Sequence, residues 1–267
     1  MADTSIEWSE KVWNPTRGCD IYSKECLNCY AMRQAHRFSG PGGRYEGLTQ
    51  LTKAGPVWTG EVRPIERQLE APLAWRDPRL VFVDSMSDLF YGDEADEKRA
   101  RARRAPFRPV PMVFIDRVFK VMERCPQHTF QLLTKRPARM LRYLLTRSGP
   151  PLPHVLTGCS VGFQDAADQR LDPMRAIAEL GWRAWVSYEP AIGPVNWDGW
   201  DFIRWLVAGE ESGYGRRRAD VQWFRLTAQW CAHHGVAFFM KQLLDARGRK
   251  IPFDTFPGDL QVRAYPL

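Results

Sequence analysis

Six short apolar runs, each ending in a polar or glycine-containing loop, set the limits on how this chain can fold. They are Leu80-Val81-Phe82-Val83, Thr129-Phe130-Gln131-Leu132-Leu133, His154-Val155-Leu156-Thr157-Gly158-Cys159, Arg183-Ala184-Trp185-Val186, Ile203-Arg204-Trp205-Leu206-Val207-Ala208 and Val236-Ala237-Phe238-Phe239-Met240. Short runs of this kind, bounded by turns, read as strands buried on both faces, as in parallel sheets. Helical segments lie between most of them. Residues 114–124 carry apolar side chains at 114, 115, 118, 119 and 122, and 138–146, 166–180 and 222–233 are further candidates. Alternation of strand and helix predicts βα units joined by right-handed crossovers. The expected fold is therefore α/β: a full or partial βα barrel of about six or seven parallel strands, the seventh near residues 4–13. A doubly wound open sheet is the other arrangement this pattern allows.

Either arrangement gathers the C-terminal ends of its strands at one place, where a site is built from loops. Those ends carry Asp84, Ser85, Ser87, Asp88, Lys135, Arg136, Ser187, Glu189, Glu210, Glu211 and Lys241. Carboxylates there could accept hydrogen bonds from hydroxyl or ammonium groups, and lysines suit anionic groups. Ion pairs with Lys135, Arg136 or Lys241 are the structural alternative for Glu189 and Glu210. Gly209, Gly213 and Gly215 form a glycine-rich turn without a phosphate-loop pattern. No G-x-S-x-G elbow is present, and the adjacent His233 and His234 lack metal-ligand spacing.

Between Trp13 and Arg33 the chain places Cys19, Cys26 and Cys29 with C-x6-C-x2-C spacing. A structural zinc usually takes four protein ligands, and the next candidates are His36 and then Cys125. Three thiolates suit a 4Fe–4S cluster with one iron left open to a further ligand. Zinc completed by His36 or a distant residue, or three unrelated thiols, are the alternatives. Cys125, Cys159 and Cys231 sit in mixed or apolar surroundings and are expected to be buried structural thiols.

A formal net charge of +7 favours an anionic partner such as nucleic acid. Lys98-Arg99-Ala100-Arg101-Ala102-Arg103-Arg104 and Arg216-Arg217-Arg218 are the densest basic runs, suited to phosphates or to a solvated face. Met1-Ala2-Asp3-Thr4 opens into polar sequence, so no secretory signal is expected. No apolar run approaches the ~20 residues of a spanning helix. A cytoplasmic protein with free thiols and no membrane association is expected.

The cysteine loop resembles the cluster loop of radical S-adenosylmethionine (SAM) proteins, and N-P-x-x-G-C…C-x-x-C-Y-A is similar to that of the spore photoproduct lyase-like branch. The wider set I-E-W, W-N-P, G-C, C-x-N-C-Y-A, S-M-S-D-L-F, F-Q-L-L-T-K-R-P, S-Y-E-P, G-E-E-S-G and F-F-M-K-Q resembles the phage-associated three-Cys-motif family. These pieces extend from Ile6 to Gln242. The resemblance implies a radical-SAM-like barrel over residues 1–267, with a basic insertion near 93–110 and a C-terminal extension near 243–267. It implies a 4Fe–4S cluster on Cys19, Cys26 and Cys29, whose open iron is chelated by SAM. An electron from a flavodoxin- or ferredoxin-type donor would then yield a 5′-deoxyadenosyl radical. Asn28, Tyr30, Asp84, Ser85, Ser87, Asp88, Ser187, Glu189 and Glu211 are the expected cofactor-binding residues; Lys135, Glu210 and Lys241 are the expected catalytic ones. The substrate class is a nucleic acid base or nucleotide, modified or repaired. The competing expectation is a nucleic-acid-binding protein stabilised by zinc or an inert cluster, without SAM turnover. Two departures stand out. The first cysteine gap is six residues where the usual pattern has three, so residues 20–25 loop out. Ser85-Met86-Ser87-Asp88 occupies the place of a Gly-Gly-Glu.

Overall fold

The structure, a computed structural model, describes residues 4–105 and 107–266. Met1-Ala2-Asp3 of the polar start, Pro106 in the basic segment and Leu267 at the end of the C-terminal extension lie outside the described residues. The chain opens with β1 (Lys11–Trp13) and β2 (Thr16–Arg17), then enters the cysteine loop and α1 (Tyr30–His36). A hairpin of β3 (Thr49–Thr52) and β4 (Gly55–Trp58) follows, then β5 (Arg63–Pro64), paired antiparallel with β2, and α2 (Glu66–Leu69). The repeating part begins at β6 (Leu80–Val83). It continues through α3 (Glu94–Ala102), α4 (Met112–Glu123), β7 (Thr129–Thr134), α5 (Pro137–Thr146), β8 (Val155–Ser160), α6 (Gln164–Glu179), β9 (Arg183–Ala191), β10 (Trp205–Glu210), α7 (Val221–His234) and β11 (Ala237–Gln242).

Seven strands form one parallel sheet in the order β1-β6-β7-β8-β9-β10-β11. The order runs with the sequence and never reverses, so the sheet has no switch point of the doubly wound kind. It is a half-barrel, with β1 and β11 as its edges.

Side-chain alternation along the strands sorts residues to two faces. Val81 and Val83, Ala184 and Val186, and Leu206 and Ala208 pack outward against Phe119, Met140, Ile177 and Phe224 of the helices. Their neighbours Phe82, Trp185, Trp205 and Val207 point inward and join Trp8, Leu156 and Phe239. The Trp8, Trp185 and Trp205 rings lie 4.9–5.9 Å apart and plug the inside of the sheet. Gly158 is fixed by this plug, because a Cβ there would fall inside the Trp185 indole, whose Nε1 donates to the Leu132 carbonyl at 2.9 Å.

Residues 44–78, read from their prolines as irregular, contain the β3–β4 hairpin, β5 and α2. Three of the four residues of β3 are exposed, so it carries no alternating pattern to read. Among the described residues no helix is long and apolar enough to cross a membrane.

Candidate functional site

Every residue expected at the site lines one cavity of about 910 Å³. Asp84, Ser85, Ser87 and Asp88 follow β6, and Lys135 follows β7. Ser187 and Glu189 come from β9, Glu210 and Glu211 from the end of β10, and Lys241 from β11. Asn28, Tyr30, Cys19, Cys26 and Cys29 come from the loop above. The strands bring these positions together because their C-terminal ends share one end of the sheet: Asp84 and Lys135 directly follow β6 and β7, whereas Ser187, Glu189, Glu210 and Lys241 still belong to β9, β10 and β11.

The cysteine loop is fastened at several points. It starts at Gly18, where φ is +85° and a Cβ would collide with the Glu61 carbonyl, so only glycine fits. Asp20, with its side chain fully buried, accepts from Arg103 at 2.6 and 2.8 Å and from Arg99 at 3.4 Å. Tyr22 lies between the Arg99 and Arg136 guanidinium groups, 4.5 and 4.6 Å from its ring, and its hydroxyl donates to Asp93 at 3.0 Å. Glu25 makes a buried bidentate pair with Arg170 of α6 at 2.9 and 2.8 Å. The looped-out segment 20–25 is thus held by α3, α6 and the residue that opens α5.

Cys19, Cys26 and Cys29 are free thiols. Burial pushes the Cys19 thiol well above its ordinary range; Arg136 opposes the shift, and Asp88, Cys26 and Cys29 add to it. Burial raises Cys29 as well, helped by Cys26 and resisted by Lys135 and the Ala31 and Met32 amides. Burial disfavours the charged form of Lys135, yet Cys26, Glu25 and Cys29 outweigh it and keep the ammonium protonated. Arg136 is raised further, burial being overcome by Asp88 and Asp96. The donor chemistry therefore fits an anionic metal–sulfur group: three thiols, two adjacent cations, and proton release on metal binding. Among the described residues no group of three or more His, Cys, Asp or Glu side chains is arranged to hold a single metal ion. In a 4Fe–4S cluster each thiolate binds its own iron, so the thiolates stand further apart than they do around a single ion. His36 does not line the cavity; its Nδ1 lies 3.0 Å from Thr49 Oγ1 and 3.2 Å from Ser39 Oγ.

Several strand-end groups already have internal partners. Asp88 accepts from Thr134, Lys135 N, Arg136 and Phe90 N at 2.7–3.1 Å. Glu189 pairs with Lys241. Glu211 pairs with Arg217 and accepts from Asn28 Nδ2 at 3.1 Å. Burial would raise Glu211, but Arg217 and Asn28 hold it below the usual carboxylate range. Glu210 accepts from Leu244 N at 2.6 Å. Lys135 Nζ donates to Ser160 Oγ at 3.1 Å and borders the thiols.

Asp84 differs from these acids. Its Oδ1 accepts from Thr16 N at 3.1 Å, and its Oδ2 lies 2.8 Å from Thr16 Oγ1. Thr16 Oγ1 is also 2.7 Å from Ser87 Oγ, which donates to the Gly18 carbonyl at 2.6 Å. The Thr16 hydroxyl has one proton for these two contacts and donates either to Asp84 Oδ2 or to Ser87 Oγ. Both contacts close together as hydrogen bonds when Asp84 is neutral and donates to Thr16, which then donates to Ser87. Burial is the dominant influence on its carboxyl and, against the opposing Thr16 hydrogen bonds, pushes it up to about 8.

The basic runs are partly engaged within the protein, although Lys98, Arg101, Arg103, Arg104 and Arg218 remain exposed. Arg99 and Arg103 grip Asp20, and Arg101 pairs with Glu97. Arg216 and Arg218 donate to the Asp245 and Ala246 carbonyls, and Arg217 holds Glu211. Sequence reading missed Arg99, Arg103 and Arg170 as supports of the loop. An arginine that reaches back to the loop is indistinguishable in sequence from one that meets only solvent.

In comparisons with known proteins, residues 3–250 match the family described as Protein of unknown function (DUF5131). No curated protein and no solved structure matches the chain.

Proposed function

The chain belongs to the DUF5131 family, and we propose that it is a radical-SAM-like iron–sulfur enzyme acting on a nucleic acid base or nucleotide. The observation that carries this reading is the meeting of three free thiols and the strand-end polar residues in one cavity of about 910 Å³. Cys19, Cys26 and Cys29 would hold a 4Fe–4S cluster, leaving one iron without a protein ligand. Bound there, the cluster would supply one electron, drawn from a flavodoxin- or ferredoxin-type donor, to split a carbon–sulfur bond of the SAM sulfonium. Lys135 and Arg136 offset negative charge beside the thiols. The Glu189–Lys241 pair and Ser187 present both signs of charge and a hydroxyl to a zwitterionic cofactor. Glu210, Asn28 and Tyr30 border the remaining space, and the Trp8, Trp185 and Trp205 plug excludes water from the inner end.

Anaerobic reconstitution with iron and sulfide, followed by electron paramagnetic resonance with and without SAM, tests the proposal. A brown protein whose reduced signal changes on adding SAM, and which cleaves SAM, is the expected result. A colourless protein holding one stoichiometric zinc overturns it in favour of a metal-stabilised binding module.

A further inference from the structure

Apart from the two basic runs, α1 and the segment after it carry a second set of cations, of which Arg44 lines the cavity. From residue 30 to 60, Arg33, Arg37, Arg44 and Lys53 stand against a single acid, Glu46. Arg33, Arg37 and Arg44 form no ion pair among the described residues; every salt bridge there involves other side chains. Along α1 and just beyond it, Tyr30, Gln34 and Phe38 recur at four-residue intervals, and all three line the cavity. Arg44 lies over the Phe38 ring at 4.7 Å, and Arg33 over the Tyr214 ring at 4.9 Å. These rings are far from buried: Tyr214 is 77% exposed, Phe38 44% and Tyr30 43%. Tyr214 sits beside the cysteine loop, tied there by Asn28 Nδ2 donating to the Gly215 carbonyl at 2.7 Å.

Exposed rings alternating with arginines free of carboxylates are the equipment of a surface that stacks unpaired bases and neutralises the backbone joining them. We propose that the α1 side of the mouth binds single-stranded nucleic acid. Phe38, Tyr30 and Tyr214 take bases, Arg33, Arg37 and Arg44 take phosphates, and one base turns inward past Gln34 into the cavity. This rests on the nucleic-acid reading above and specifies its substrate as a single strand. A duplex keeps its bases stacked on each other, so it offers these rings nothing and leaves the cavity empty.

Fluorescence polarisation with a short fluorescein-labelled single strand, DNA or RNA, tests this on the full chain as purified. The same sequence as a duplex and unlabelled heparin serve as competitors. The single strand should bind more tightly than the duplex. Phe38→Ala and Tyr214→Ala should each weaken it about tenfold, and Arg44→Ala should lower the salt slope by about one. Thermal melts of the variants should overlay the wild type, since all three side chains are at the surface. Equal affinity for duplex and single strand, or ring variants that bind like wild type with heparin displacing everything, overturns the surface. SAM cleavage by a protein that binds no strand also overturns it, and leaves the enzymatic reading intact. Ring-dependent strand binding by a protein that never takes up iron supports the surface and sinks the enzymatic reading instead.

Discussion

Arg103, just past the end of α3, holds both carboxylate oxygens of Asp20, at 2.6 and 2.8 Å, in the six-residue gap between the first two cysteines. The fork geometry makes this a two-point grip that a lysine cannot reproduce. Arg103→Ala should destabilise the protein by about 2 kcal/mol, the scale of hydrogen bonds to a charged group. Iron retained per chain after anaerobic reconstitution should fall with it, and Arg103→Lys should recover only part of both. An unchanged urea midpoint with full iron content would remove the clamp from the account.

Glu25 and Arg170 form the second fastening, buried on both sides. Burial would raise the Glu25 carboxyl, but Arg170, Lys135 and Ser23 prevail and hold it down at about 2. The native pKa lies below the unfolded one, so the stabilisation is complete above about pH 4.5 and drains away as pH falls toward 2. Arg170→Met, which leaves an unpaired buried carboxylate, should cost about 3–5 kcal/mol at pH 7. Adding Glu25→Gln should restore most of it. Urea titrations at descending pH check the window; a Glu25→Gln single variant with the wild-type acid profile would count against it.

Asp84 predicts the opposite slope. Its native pKa of about 8 stands above the ordinary carboxylate value of 3.8. The native state therefore binds the extra proton, and its advantage is full at low pH and lost as pH rises through about 8, by on the order of a few kcal/mol. Asp84→Asn keeps a donor for Thr16 and tolerates the φ of +60° found there. It should fold normally and resist the alkaline loss. A protonated-carboxyl infrared band, present in wild type at neutral pH and absent from the variant, would locate the proton; no such band would refute a neutral Asp84.

Gly158→Ala should destabilise by about 2 kcal/mol, since the added methyl meets the Trp185 indole rather than a flexible side chain. The thermal midpoint reads this directly. Combining it with Trp185→Phe should cost less than the sum of the two single changes, because the smaller ring yields room.

The half-barrel was legible because its strands announce themselves. Leu80–Val83 is observed with the limits its apolar run predicts, and β7 extends the predicted run by one residue, to Thr134. The polar residue after each run was legible as a cavity wall for the same reason. Partnership was not. Asp88 and Asp84 look alike in sequence, yet one meets Arg136 and the other only hydroxyl and amide groups. Nothing near Arg103 in the chain points to Asp20, 83 residues earlier. The hairpin of residues 49–58 stayed hidden because β3 buries almost nothing.

The fastenings of segment 20–25 bear on the order of events during maturation. Small metal-nucleated domains collapse without their ion, because the ion is their core. Here α3, α6 and Arg136 hold the thiol-bearing loop through salt bridges, hydrogen bonds and ring contacts, and Cys19, Ile21 and Cys29 pack against the cluster of Met32, Trp58 and Met86. If the proposed cluster binds there, the chain should be strippable and refillable without unfolding, the inorganic part being a late arrival in a berth already made.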